Sequence, residues 1–244
     1  MEEVKQFGLV GQTLKHSFSQ TYFTEKFQAE SIHATYHNYE LSEIGEIREL
    51  LNSDVNGFNV TIPYKTSILP YLDATRGAAA EIGAVNTVKK EGNAWIGYNT
   101  DVFGFKQMIK PYFKSHHERA MILGTGGASK AVAYVLQQLG ADVIYISRQP
   151  KGDDEFSYED MNENMIRFNG IIVNTTPVGT WPNIQASPAL PYQFLTNNHL
   201  VIDLIYNPEE TVFLKRAREQ GAVILNGKTM LHQQAEEAWR IWNQ

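Results

Sequence analysis

A glycine-rich turn between an apolar segment and a helix is the feature that most constrains the fold of this 244-residue chain. The apolar residues 120–123 lead into G-T-G-G-A-S at 124–129, and residues 128–139 have the composition of a helix. Glycines in this context let the backbone turn tightly and approach a pyrophosphate, and the helix N-terminus offers N–H groups to the anion. A plain strand-to-helix turn needs only one glycine, so the pattern favours a dinucleotide site. The predicted cofactor-binding residues of this turn are Gly124, Thr125, Gly126, Gly127 and Ala128.

Strand and helix periodicity alternate along the rest of the chain. Predicted strands lie at 6–11, 35–40, 57–62, 120–123, 142–147, 170–174, 200–205 and 222–225. Predicted helices lie at 19–28, 43–51, 100–112, 128–139, 211–220 and 229–242. This alternation predicts two α/β units with mostly parallel sheets. The pattern alone does not assign the last helix to either unit.

Composition excludes several classes of protein. Apolar residues make up 43% of the chain and charged residues 20%, which is typical of a globular protein. The absence of cysteine excludes disulfides, cysteine-ligated zinc and thiol catalysis. A net charge of −6 without a basic run argues against nucleic acid, and the histidines show no metal-binding spacing. The histidine spacing predicts no metal site. No run approaches the about 18 apolar residues that a membrane span needs, and the acidic start has no apolar segment typical of a signal peptide. We therefore expect a cytoplasmic protein.

The residues after the second strand of the glycine-turn unit bear on the choice between NAD and NADP. An NAD site usually places an acid there to bind the ribose 2′-hydroxyl. Here Ser147, Arg148 and Lys151 follow the strand, and the first acid is Asp153. Arg148 and Lys151 are suited to pair with a 2′-phosphate, although a solvated basic loop is the alternative. The sequence favours NADP.

A lysine and an aspartate are the candidates for proton transfer. Lys65 ends N-V-T-I-P-Y-K at 59–65, and Asp101 lies in N-T-D-V-F-G-F at 99–105. Reduction of a carbonyl by hydride leaves an alkoxide that needs a proton, which a lysine ammonium oriented by a carboxylate supplies. The alternatives are a surface lysine in a turn and an aspartate that caps a helix. Sequence spacing does not decide whether the two side chains meet.

Other polar residues stand where strands end or helices begin. Ser17 and Ser19 are suited to hold a carboxylate, but Ser19 is also compatible with a helix N-cap. Asn86 either hydrogen-bonds a polyol or closes a turn. Gln234 borders the apolar stripe of the last helix, and Tyr206 follows a strand within a turn, so each faces either a cleft or solvent.

Together these motifs resemble shikimate dehydrogenases, the NADP-linked enzymes that reduce 3-dehydroshikimate in the shikimate pathway. The resemblance covers most of the chain. Its motifs are H-S-F-S (16–19), N-V-T-I-P-Y-K (59–65), G-A-V-N-T (83–87), N-T-D-V-F-G-F (99–105), G-T-G-G-A-S (124–129), N-T-T-P-V-G (174–179), D-L-I-Y-N-P (203–208) and M-L-H-Q-Q-A (230–235). The glycine turn alone is weakly specific, whereas the first four motifs together are highly specific.

The resemblance implies roles for individual residues. It pairs Lys65 with Asp101 as the catalytic residues. It implies substrate contacts by Ser17, Ser19, Thr61, Asn86, Tyr206 and Gln234. It implies cofactor contacts by Ser147, Arg148, Lys151, Leu204 and Gly227 besides the glycine turn. Two departures from the family pattern are Gln20, where proline is usual, and Ser147-Arg148-Gln149 in place of Asn-Arg-Thr.

The resemblance also implies a domain organisation. It predicts a substrate domain at 1–102 completed by the returning helix at 228–244, a Rossmann-like NADP domain at 103–227, and a cleft between them. The implied partners are 3-dehydroshikimate or shikimate, with no nucleic acid or membrane, in a monomer or homodimer. An NAD-linked quinate/shikimate dehydrogenase and a non-catalytic ligand-binding module are the alternative functions.

Overall fold

A computed structural model describes residues 4–15 and 17–244 of the chain. His16, the first residue of the H-S-F-S motif, lies outside the described residues. The chain forms two compact units: unit 1 comprises residues 1–100 and 235–244, and unit 2 comprises residues 101–234. The resemblance predicts that the first domain ends at residue 102 and that the returning helix begins at residue 228. No helix within the described ranges is both long enough and apolar enough to cross a membrane.

Unit 1 is built on a mixed sheet with the strand order β2-β1-β3-β5-β6-β4. Its strands are β1 (Lys5–Gly11), β2 (Ala34–Glu40), β3 (Gly57–Val60), β4 (Ala74–Thr75), β5 (Thr87–Glu91) and β6 (Ala94–Tyr98). Its helices are α1 (Phe18–Ala29), α2 (Ile47–Leu51) and α3 (Ala78–Ile82), with 3-10 turns at Ile44–Glu46 and Leu69–Tyr71. Strand β1 pairs in parallel with β2 and β3, which places the ends of these strands at one edge of the sheet.

Unit 2 is a parallel sheet with the strand order β12-β11-β10-β7-β8-β9. Its strands are β7 (Arg119–Leu123), β8 (Asp142–Ile146), β9 (Glu155–Phe156), β10 (Ile171–Asn174), β11 (Leu200–Asp203) and β12 (Val223–Asn226). The helices are α4 (Thr100–Ile109), α5 (Gly127–Gln138), α6 (Glu163–Phe168) and α7 (Val212–Glu219), with a 3-10 turn at Tyr192–Phe194; α8 (Lys228–Trp242) begins in this unit and ends in unit 1. This is the order of a doubly wound dinucleotide fold. The predicted α/β class with a Rossmann-like unit is confirmed.

The C-terminal part of α8 belongs to the core of unit 1. Trp242 stacks on Phe7 with ring centroids 4.6 Å apart, and its indole N–H donates to the Val88 carbonyl over 3.0 Å. Gly57 makes room for this ring, because a Cβ there would lie 2.5 Å from the indole nitrogen. The apolar stripe read from the sequence of this helix therefore has its partner in the β1–β3–β5 part of the sheet.

The structure differs from the predicted elements mainly in unit 1. Strands β5 and β6 form a hairpin that the sequence reading missed, with Gly92-Asn93 as its two-residue turn and Gly92 at φ +60°. The pairs β3–β5 and β5–β6 are antiparallel. The predicted strand 57–62 ends at Val60, so Thr61 begins the turn that carries the lysine.

Candidate active site

The two serines of the H-S-F-S motif lie at the start of α1 and have different roles. Ser17 is the N-cap, and its hydroxyl oxygen accepts a hydrogen bond from the Gln20 N–H over 3.3 Å. The alternative that Ser19 caps the helix is therefore wrong, since Ser19 lies inside the first turn. The Ser19 hydroxyl instead interacts with the phenol of Tyr36 and lowers the pKa of that phenol. Both serines are half-buried.

A chain of hydrogen bonds leads from Tyr36, the neighbour of Ser19, across the end of the unit-1 sheet. Tyr36 is almost fully buried, and its hydroxyl donates to the Asn59 side-chain oxygen over 2.8 Å. The Asn59 amide donates to the Asn86 carbonyl (3.2 Å) and to the Thr87 hydroxyl (3.0 Å). Burial raises the pKa of Tyr36 well above its ordinary value, and the hydrogen bond from Ser19 opposes that shift. This network therefore joins two predicted substrate contacts, Ser19 and Asn86, through neutral side chains.

Tyr36 and Asn59 were given no role by sequence reasoning. Asn59 was readable as a polar residue within the strand G-F-N-V, where a buried amide needs hydrogen-bond partners. Tyr36 carried no such signal, because aromatic residues are common in strands.

The lysine turn follows β3 directly. Thr61 donates its backbone N–H to the Val10 carbonyl over 2.8 Å, and its methyl group lies against Gly11. The Lys65 carbonyl accepts from the Val85 N–H over 2.7 Å. This bond brings Lys65, which is half-buried, beside the segment that leads into Asn86.

Asn86 is buried and anchors the beginning of α4. Its side-chain oxygen accepts from the Thr100 N–H over 2.7 Å, and its amide donates to the Thr100 hydroxyl over 3.1 Å. The alternative interpretation, that Asn86 has a structural role in a turn, is therefore correct in part, because Asn86 fixes the segment that leads into Asp101.

Asp101 lies in the first turn of α4 and is only 2% exposed. Since α4 begins at Thr100, the alternative that Asp101 is the N-cap is wrong. A carboxylate in the first turn of a helix interacts favourably with the helix dipole, so an aspartate at this position also has a structural explanation. Its pairing with Lys65 stays a prediction.

Helix α4 packs closely against α8 at Gly104. A Cβ on Gly104 would lie 2.5 Å from the Met230 carbonyl oxygen and 3.2 Å from the Gln234 backbone nitrogen. The half-buried Gln234 and the buried Asp101 are thus carried by two helices in contact. Gly104 was not singled out from the sequence, because an isolated glycine in a helix has no visible partner.

The glycine turn has the geometry required for a dinucleotide phosphate. Gly124 has φ +102°, a conformation that favours glycine, and its Cα lies against Thr176. Helix α5 starts without a side-chain cap, so the N–H groups of its first turn are available to an anion. Ser129 replaces the third glycine and is buried, with its hydroxyl donating to the Gly126 carbonyl over 2.5 Å. The residues present therefore fit a dinucleotide.

The predicted 2′-phosphate residues follow β8 in a loop closed by β9. The Ser147 N–H donates to the Phe156 carbonyl (2.8 Å), and its hydroxyl accepts from the Gln149 N–H (3.2 Å). Arg148 and Lys151 are exposed, and the Lys151 backbone N–H donates to the Glu155 carboxylate over 3.1 Å. The side chains of Arg148 and Lys151 are thus exposed on this loop, whereas the Glu155 carboxylate is bonded to the loop backbone.

Leu204 and Gly227 lie together after the neighbouring strands β11 and β12. The Gly227 N–H donates to the Ile205 carbonyl over 3.1 Å, and a Cβ on Gly227 would lie 2.0 Å from the Leu204 carbonyl oxygen. Only glycine fits this approach. Tyr206 follows at the surface with 39% exposure, and partial burial raises its pKa.

Comparisons with known proteins match nearly the whole chain. The family model for the shikimate dehydrogenase substrate binding domain matches residues 9–88. The shikimate dehydrogenase (NADP(+)) of Methanococcus vannielii is 34% identical over 258 residues, covering 96% of this chain and 90% of the relative. The crystal structure of shikimate dehydrogenase 1 from Peptoclostridium difficile has a TM-score of 0.85 and 37% identity, covering 98% of this chain and 91% of that one.

A structural relative with another substrate and another cofactor has the same fold. Quinate dehydrogenase from Corynebacterium glutamicum in complex with NAD has a TM-score of 0.86 and 28% identity, covering 98% of this chain and 93% of that one. The identity to the NADP-linked relative is higher and extends over nearly all of both chains. On this evidence, the chain belongs to the shikimate dehydrogenase family.

Proposed function

We propose that the protein is an NADP-dependent shikimate dehydrogenase that reversibly reduces 3-dehydroshikimate to shikimate. The observation that carries the proposal is the arrangement at the end of the unit-1 sheet. There Thr61, Lys65 and Asn86 lie on connected backbone segments, in a chain that also has a dinucleotide turn at Gly124. This combination provides polar groups for a polyol and a cation for a developing alkoxide.

When bound, NADPH supplies a hydride to the ring carbonyl carbon. The carbonyl oxygen then needs a proton, and the Lys65 ammonium donates it or stabilises the negative charge. Asp101 orients the lysine and restores its proton. Gly124 to Ala128 and the start of α5 would hold the pyrophosphate, while Ser147, Arg148 and Lys151 would hold the adenosine 2′-phosphate. Leu204 and Gly227 would adjoin the nicotinamide.

The substrate carboxylate is held by Ser17 and Ser19, with Ser17 as the stronger donor. Ser17 accepts from Gln20 and keeps its hydroxyl hydrogen for the carboxylate. The Ser19 hydroxyl interacts with the buried Tyr36 phenol, so it is less free to turn toward the substrate. The ring hydroxyls are held by Thr61, Asn86 and Gln234, and Tyr206 completes the substrate contacts.

The test is an absorbance assay at the nicotinamide band with shikimate and NADP⁺. Replacement Lys65→Ala should lower turnover by about 10²–10⁴-fold, which is the usual contribution of a positioned proton donor. NADPH affinity should change little, because the cofactor residues lie elsewhere. Lys5→Ala, at an exposed position of β1, is the matched control. Near-normal turnover of Lys65→Ala would reject the assigned role.

The second candidate is an NAD-linked quinate/shikimate dehydrogenase. It is favoured by the likeness to the quinate dehydrogenase described in complex with NAD, and by Ser147 and Gln149 beside Arg148. Comparing NADPH with NADH, and shikimate with quinate, on the pure protein decides between the two. A non-catalytic binding module is disfavoured, because binding alone does not require both Lys65 and Asp101. A cytoplasmic location and a monomeric or homodimeric state stay predictions.

A further inference from the structure

The end of β11 contains a fully buried carboxylate that the proposed reaction does not use. Asp203 is 0% exposed. Its Oδ2 accepts from the Thr211 hydroxyl over 2.6 Å, and its Oδ1 accepts from the Ile205 N–H and the Asn174 amide, each over 3.1 Å. A buried carboxylate needs such donors. Asp203 therefore fixes the three backbone segments that carry Thr211, Ile205 and Asn174.

One of these partners connects Asp203 to the glycine turn. Asn174, the last residue of β10, accepts at Oδ1 from the Thr176 N–H (3.1 Å) and the Thr176 hydroxyl (2.7 Å). Thr176 in turn lies against Gly124, where a Cβ would meet the threonine methyl at 2.9 Å. The turn after β10 is therefore held between Asp203 and the dinucleotide loop.

A second partner connects Asp203 to the loop after β12. The Ile205 N–H is fixed by Asp203, and the Ile205 carbonyl accepts from Gly227 over 3.1 Å. The Leu204 N–H donates to the Asn174 carbonyl over 3.0 Å, which joins the turns after β10 and β11. Thr211 completes the arrangement, because its hydroxyl caps α7 through the Leu214 N–H while donating to Asp203.

The strand order shows which half of the cofactor faces these turns. In a doubly wound sheet the dinucleotide crosses the carboxyl edge at the point where the order reverses, with one half on each side. The glycine turn and Arg148 follow β7 and β8, so the adenosine half lies on that side. Strands β10, β11 and β12 lie on the other side of β7. Their turns are thus left to the nicotinamide half.

We propose that Asp203 is a positioning residue that holds the turns after β10, β11 and β12 in the arrangement that receives the nicotinamide ring. The proposal rests on the proposed function only in taking NADP as the cofactor. Asp203 itself does not touch the reacting atoms, because it is enclosed by the residues it fixes.

The charge of Asp203 supports a role beyond packing. Burial raises the pKa of Asp203 to about 6, while the bonds from Thr211, Ile205 and Asn174 lower it. Its titratable neighbour is Tyr192, whose pKa is raised by burial and further by the Asp203 charge. At neutral pH the residue is therefore ionised in a site that disfavours charge. A neutral side chain would fill the same space at a lower cost in desolvation.

The experiment compares two ligands on the full-length protein. One is NADPH, and the other is adenosine 2′,5′-bisphosphate, which has the 2′-phosphate but no nicotinamide. For Asp203→Ala we expect unchanged affinity for the bisphosphate and about tenfold weaker binding of NADPH, a loss of about 1.4 kcal/mol. We expect turnover to fall by about 10²-fold, the usual effect of misplacing a reacting group by about 1 Å.

Replacements of Thr211 provide a second test if Asp203→Ala does not fold. Thr211→Val keeps the volume but removes the hydroxyl that donates to Asp203, and Thr211→Ser keeps the hydroxyl as the matched control. Thr211→Val should weaken NADPH binding but not bisphosphate binding, and Thr211→Ser should change neither. Equal loss for both ligands, or no loss of NADPH binding in any folded variant, overturns the proposal.

The same measurements separate failure of this inference from failure of the proposed function. If the wild type binds NADPH but does not oxidise shikimate with NADP⁺, the proposed reaction is rejected, and the ratio of the two affinities still tests Asp203. If the wild type is active and Asp203→Ala matches it, only the positioning role is rejected. If the wild type binds neither ligand, both are rejected.

Discussion

The buried charge of Asp203 should make the protein less stable at neutral pH than a neutral variant. Asp203→Asn preserves the shape of the side chain. Its amide oxygen can still accept from Ile205 and Asn174, and its amide N–H can donate to the Thr211 hydroxyl. The variant therefore resembles the protonated form of Asp203, and we expect it to be more stable than the wild type above pH 6.

The magnitude follows from the pKa of Asp203. The folded-state pKa is about 6 against an ordinary value of 3.8, so the folded protein binds a proton more tightly than the unfolded chain does. Stability therefore falls as the pH rises from 3.8 to 6, and the full penalty of ionisation is present above pH 6. A shift of about 2 pK units corresponds to about 3 kcal/mol. We expect Asp203→Asn to gain about 1–3 kcal/mol at pH 7.5 and almost nothing at pH 4.

The assay is urea unfolding at several pH values between 4 and 7.5. Because the chain has two units, hydrogen exchange of the core strands β7, β10 and β11 should identify the transition that belongs to unit 2. With a urea slope of about 1–3 kcal/mol per molar, the expected gain moves the midpoint by about 1 M. Asp142→Asn, which removes an exposed charge from β8 of the same unit, is the control and should leave the midpoint nearly unchanged.

Two results would refute this reasoning. A loss of more than about 1 kcal/mol at pH 7.5 in Asp203→Asn would mean that the ionised form is the more stable one. An identical pH dependence of stability in wild type and variant would mean that Asp203 does not titrate in this range. Either outcome would also remove the charge argument for its positioning role.

Three further predictions concern other parts of the molecule. Trp242→Ala should destabilise unit 1 by about 3–5 kcal/mol and Trp242→Phe by about 1 kcal/mol, because only the former loses the stacking on Phe7; urea unfolding measures both. Burial lowers the pKa of His117, so the stability that the neutral imidazole contributes is complete above pH 6.5 and is lost as the pH falls below that value. The replacement His117→Gln should therefore flatten the pH dependence of the thermal unfolding temperature. Arg148→Ala should weaken NADPH binding by about 10–100-fold and NADH binding hardly at all in fluorescence titrations, and equal losses would contradict a 2′-phosphate site.

Local patterns explain what could be predicted from the sequence. The turn at Gly124 was readable because the glycines, the preceding strand and the following helix are adjacent in the chain. The class of the fold followed from the same local alternation. The β5–β6 hairpin was missed because Lys89 and Lys90 interrupt its apolar alternation, although Gly92-Asn93 gave a turn signal.

Long-range partners explain what could not be predicted. The bond between Tyr36 and Asn59 depends on β2 and β3 both pairing with β1 in one register, and no local pattern shows that register. The same holds for Gly104, whose need for a small residue is set by a helix more than a hundred residues later in the chain. Such residues become visible only when the fold brings their partners to them.

The two sheet edges differ in how their polar groups relate to stability. The network of Tyr36, Asn59 and Asn86 is neutral and satisfies its own hydrogen bonds, so it stabilises the fold and orders the proposed substrate site at the same time. Asp203 is different, because its ionised form costs stability in the place where it is held. Natural chains lose such groups readily unless function retains them, since a neutral replacement would stabilise the fold. The presence of a costly charge beneath the turns after β10 and β11 therefore argues that those turns must be held more firmly than folding alone requires.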